Sequence, residues 1–161
     1  MPASSDSSVG VAHGAAPTDG RTPGRERSCP SAPCREGALL IGVMTQRGTL
    51  AYVQPPTRVD ADFVEKAKAL GRPESRFRFS SPCIESGCPQ WTGDGCAVVE
   101  EVLEAESANA PSSAALPQCA IRSTCRWFFQ RGAAACAVCP LVVADIGGAE
   151  TYKSLSAQNA T

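Results

Sequence analysis

The stretch CAIRSTCRWFFQRGAAACAVCP, residues 119–140, holds four cysteines within 21 residues, three consecutive aromatics and a closing Cys-Ala-Val-Cys-Pro. Two residues between thiolates let Cys136 and Cys139 converge on one metal or cluster from a single turn. Pro140 closes that turn and leaves no backbone N–H to satisfy. Upstream, TCRWFFQR reads as a helix that starts near Ser123 and stops at Gly132, and AAACAVCP reads as a short turn, with LVVADI adding a strand. A chain whose most distinctive segment is patterned by thiols is expected to be a small, irregular, cysteine-rich α+β domain organised around metal, with a hairpin and about three short helices.

Seven of the nine cysteines fall between Cys83 and Cys139. The most compact four-ligand set is Cys119, Cys125, Cys136 and Cys139, which needs only a helix-sized loop to close. Cys83, Cys88 and Cys96, spaced CIESGC and then seven residues, form a second metal-ligating set that lacks one ligand. Asp94, a water or Cys34 is available to complete it, or an open position serves substrate. Three arrangements therefore compete: one [4Fe-4S] cluster with three bystander thiols, a cluster plus a second site, or two zinc sites that borrow Cys29 or Cys34. Cys29 and Cys34, in CPSAPC, are expected to stay out of the sites, because prolines surround them and apolar neighbours do not.

Outward from the cysteines, the chain divides into four parts. Residues 1–37, rich in Ser, Gly, Pro and Ala, read as a disordered leader containing a solvated His13. Residues 38–82 read as a hairpin and helix: ALLIGVMT and LAYVQ flank the turn QRG, Pro55 and Pro56 end the second strand, and Asp60 caps a helix over 61–70 that Gly71 stops. SRFRFS then reads as an edge strand with Arg76 and Arg78 on a solvated face. Residues 83–146 are the metal- or cluster-binding region and contain a helix over 97–106. Residues 147–161 read as a flexible tail.

Composition removes several function classes. Lys and Arg number 15 against 16 Asp and Glu, so net charge gives no support to nucleic-acid binding. The longest apolar runs end after about six residues, far short of a membrane span. The opening MPASSDSSVGVAHGAAPTDG lacks the pattern of a secretory signal, which points to the reducing cytoplasm, where many cysteines mean metal or redox chemistry more often than disulfides. An odd number of thiols agrees with that. No P-loop, HExxH, GxSxG or strand-to-helix GxGxxG is present, so an enzymatic role is less expected than a non-enzymatic one.

Both zinc and iron–sulfur use four cysteines. Irregular spacing with a single CxxC, shielding aromatics at Trp91 and at Trp127 to Phe129, and Arg122, Arg126 and Arg131 without an intervening acid favour a cluster, since thiolates around [4Fe-4S] leave net negative charge. ACAVCPLVV also resembles the CxxCP elements of bacterial ferredoxins and of the WhiB-like iron–sulfur regulators. That resemblance implies a cluster-ligand role for Cys136 and Cys139. The expectation is a small cytoplasmic protein that transfers electrons or senses redox state for a protein partner through an iron–sulfur cluster, with [4Fe-4S] as the expected type. The alternative is a zinc-stabilised interaction module that binds protein or nucleic acid.

Overall fold

The computed structural model describes residues 26–107 and 115–143. The start of the leader, residues 108–114, the end of LVVADI and the tail lie outside them. Strands β2 (Leu39–Met44) and β3 (Leu50–Arg58) pair antiparallel across a turn in which the Thr45 and Thr49 hydroxyls meet at 2.7 Å. The expected hairpin is there, but β3 runs past Pro55 and Pro56 to Arg58, with a register shift between Leu40 and Gly42 on β2. The reason lies in the strand order, β1-β4-β2-β3, which puts β3 at an edge where proline's missing N–H needs no partner.

The opposite edge is β1, Ser28–Ala32, antiparallel to β4, Phe77–Pro82. Ordered chain therefore begins before Ala38, within the segment assigned to the leader. Composition undercounts this segment because its contribution is a backbone ladder plus three small buried residues, Pro30, Ala32 and Cys34.

Asp60 caps α1, Ala61–Ala69, by accepting the Phe63 N–H at 2.8 Å, and Gly71 follows with φ +101°. Strand β4 is central, not an edge, and its alternation serves two buried faces. Phe77 and Phe79 face α1, where Phe63 packs edge-on at 5.5 and 6.2 Å from their ring centroids. Arg78 and Ser80 are buried, so the expected solvated basic face does not exist at Arg78. The cysteine region covers it instead.

That covering layer contains three helices. In α2, Ala97–Ala105, the predicted apolar stripe buries Val98, Val99 and Val102. α3, Arg126–Arg131, starts three residues later than Ser123 and buries Trp127 and Phe128. AAACAV is not a turn but a further helix, α4, Ala133–Val138, followed by a 3₁₀ turn over Cys139–Leu141. Alanine's high helix propensity outweighs the shortness of the segment once Ala135 and Val138 are buried against α2 and α3. Among the described residues the architecture is thus α+β: a four-stranded antiparallel sheet between α1 on one face and α2 to α4 on the other. No helix among the described residues is long and apolar enough to cross a membrane.

Gly132 joins α3 to α4 at φ +62°, ψ −142°, backbone that only glycine adopts without strain. It fixes Cys125, at the start of α3, relative to Cys136 on α4. Gly132→Ala is expected to destabilise the fold by about 1–3 kcal/mol. A lowered urea midpoint at unchanged slope checks it.

Candidate metal and cluster centre

Four sulfur-bearing residues meet in the helical layer. Cys119 lies in the irregular segment before α3, Cys125 immediately precedes α3, Cys136 lies on α4 and Cys139 opens the 3₁₀ turn. All four line one narrow, nearly filled cleft of about 20 Å³, together with Pro30, Ile41, Tyr52, Arg122, Trp127 and Phe128. Sheet and helices thus both supply its walls.

The electrostatics follow from burial. Desolvation pushes the Cys125 thiol up to about 12, while hydrogen bonds from the backbone amides of Phe128 and Trp127 hold it down a little and the neighbouring Cys139 and Cys119 raise it a little. Burial also pushes Cys139 up, opposed by the Arg78 guanidinium and a hydrogen bond with Tyr52, and pushes Cys136 up, opposed by a hydrogen bond from Arg122. Grouped thiols that resist ionisation release their protons when a bound cation supplies compensating charge.

Positive charge stands beside the cleft. Arg78, 4% exposed, reaches from β4 and donates to the carbonyls of Cys139, at 2.7 Å, and Val142. Arg122 donates to the Pro117 carbonyl. Each retains a buried N–H without an acceptor, Nη1 of Arg78 and Nε of Arg122. Such orphan donors are expensive unless something negative faces them.

Cys83, Cys88 and Cys96 lie in the connection from β4 to α2. The Cys83 N–H donates to the Arg27 carbonyl at 2.7 Å, the Trp91 N–H donates to the Cys88 carbonyl at 3.0 Å, and a bridge from Trp91 to Cys96 closes the turn over 92–95. Gln130 on α3 clamps Cys96, accepting its N–H at 2.9 Å and donating to its carbonyl at 3.1 Å. The indole N–H of Trp127 points at the Cys96 sulfur, 3.3 Å away. Gly95 permits this fit, because a Cβ there would stand 3.0 Å from the Gln130 amide.

The residues suggested as completing ligands do not join this set. Cys34 is buried against Phe79 and α1 in the layer beyond the sheet, its N–H donating to Glu74 at 2.8 Å. Asp94 accepts from the Thr92 hydroxyl at 3.0 Å in an exposed turn. Cys29, set aside because of its prolines, instead sits on β1 opposite Ser81, two residues from Cys83 along β4. Burial pushes its thiol up to about 12, with the sulfurs of Cys83, Cys96 and Cys88 raising it further. Spacing alone hid this, because 54 residues separate Cys29 from Cys83 and only the ladder brings them together.

All nine cysteines are free thiols, and among the described residues no group of three or more His, Cys, Asp or Glu is placed to hold a single metal ion. The fold and sites define an α+β, cysteine-rich protein. Comparison with protein-family models, curated proteins and solved structures returns no match for this chain.

Proposed function

We propose that the chain binds an iron–sulfur cluster, of the [4Fe-4S] type, through Cys119, Cys125, Cys136 and Cys139, and uses it for electron transfer or redox sensing with a protein partner. One observation carries the reading: four cysteines line a single apolar cleft, beside which half-buried Arg122, in its wall, and buried Arg78, bound to the Cys139 carbonyl, each keep an N–H without an acceptor. A cluster held by four thiolates is net negative, and buried guanidinium groups offset that charge. Four cysteine thiols are the donor type such a cluster takes, and the cleft of about 20 Å³ has to widen to admit it. When bound, the cluster supplies one-electron redox chemistry. The chain's own residues exclude water from it through Ile41, Trp127 and Phe128, and set its electrostatic surroundings through Arg78, Arg122 and the Tyr52 hydroxyl.

The partner is read as a protein because nothing in the net charge favours nucleic acid and because a cluster without a substrate site acts by exchanging electrons with another carrier. Protein purified without oxygen is expected to be brown, with iron and acid-labile sulfide in equal amounts, and to bleach on reduction. Colourless protein with stoichiometric zinc would overturn the reading in favour of the structural zinc module.

A further inference from the structure

The three-cysteine set has a fourth member in the strand that composition assigned to the leader. The antiparallel ladder sets Cys29 on β1 opposite Ser81, two positions before Cys83, and Trp91 joins the other two cysteines, its N–H donating to the Cys88 carbonyl at 3.0 Å and its backbone bridging Cys96. Ser28 locks this end of β1 to the start of α3, its N–H donating to the Thr124 carbonyl at 2.7 Å and its hydroxyl meeting that of Thr124 at 2.9 Å. The sulfurs of Cys83, Cys96 and Cys88 all lie within electrostatic reach of Cys29.

The surroundings repeat those of the first cleft. Arg126 pairs with Glu85, lies 4.9 Å from the Trp91 ring and keeps a buried Nε without an acceptor. Arg27 stacks 3.6 Å over Phe129 and keeps a buried Nη1 without one. Two aromatic rings, two buried arginines with unpaired N–H groups and an indole donor aimed at a ligand sulfur therefore surround this second group of thiols.

We propose that Cys29, Cys83, Cys88 and Cys96 hold a second iron–sulfur cluster, with Trp127 standing between it and the centre at Cys119, Cys125, Cys136 and Cys139. Trp127 lines the first cleft while its N–H meets the Cys96 sulfur, so one ring touches both neighbourhoods. The nature of the cofactor rests on the function proposed above, and the grouping of the ligands does not.

The test is iron and acid-labile sulfide per chain in anaerobically purified protein and in C29S, C83S and C34S. The parent is expected to carry about eight of each, C29S and C83S about four, and C34S the parent value, four irons belonging to each cluster. A parent that holds about four irons, or a C29S protein that keeps the full complement, overturns the second cluster and leaves the first intact. A parent without iron overturns both. Should the variants not fold, electron paramagnetic resonance of the reduced parent decides the matter. Two clusters this close give a spin-coupled signal, and an isolated single-cluster signal would overturn the proposal.

Discussion

Replacing Cys139 with serine is expected to remove the cofactor from the α3–α4 cleft and to unfold the helical layer before the sheet. Cys139 sits where the 3₁₀ turn meets α4, and the Arg78 guanidinium holds its carbonyl. Removing its sulfur leaves three thiols around a cleft whose other walls are almost entirely apolar, and a metal-organised region then loses the term that replaces a large core. Structural metal in small domains supplies on the order of 10 kcal/mol of folding free energy, comparable with the whole stability of an ordinary domain. Iron content, visible absorption and amide hydrogen exchange check the result. Exchange should accelerate first in residues 119–142, while β2 and β4 remain protected. Cys139→Ala, which offers no oxygen in place of sulfur, should behave the same way. Cys34→Ser provides the control because Cys34 lies across the sheet. Full cofactor retention in both Cys139 variants would mean that the local four-cysteine grouping is wrong.

The second large effect is expected at Arg78. Arg78→Met keeps much of the side-chain volume but removes donors to two carbonyls, those of Cys139 and Val142. Each buried acceptor left without its partner is worth about 1–3 kcal/mol, so the loss should be on the order of 3 kcal/mol. The same change removes the positive charge that opposes burial at the Cys139 sulfur. Cofactor retention should therefore fall along with the urea midpoint. Arg78→Lys restores the charge but not the planar fork and is expected to recover only part of each. A methionine variant as stable as the parent would show that the bonds from Arg78 to the Cys139 and Val142 carbonyls do not hold the helical layer to the sheet.

Much of the architecture is legible in residue patterns because those patterns act locally. The β2–β3 hairpin, the Asp60 cap and Gly71 stop of α1, and the valine stripe of α2 all depend on neighbours a few positions apart. The departures share a different cause. Prolines at 30, 55 and 56 look like strand breakers until strand order places them on the two sheet edges. Phe77 and Phe79 alternate correctly with Arg78, but alternation does not reveal that the arginine face is also covered. The same blindness to long-range pairing applies to the sites. Cys119, Cys125, Cys136 and Cys139 are close in sequence and line one cleft, whereas the fourth member of the other group arrives through a ladder between distant strands. The prolines beside Cys29 do not exclude it from a site, because CPSAPC is as compatible with an edge strand as with a loop.

Helix α3 is only six residues long, yet its residues work on both sides. Trp127 and Phe128 wall the first cleft, Gln130 holds the backbone of Cys96, and Arg126 reaches Glu85 between Cys83 and Cys88. For a chain that carries both centres, this shared wall couples the firmness of one to the filling of the other. The first centre to fill immobilises Trp127 and Gln130 before the second is loaded, which lowers the ordering entropy left for the second step. A chain that has lost one centre is then expected to keep the other but to hold it less firmly, its iron leaving faster under a chelator than the parent's.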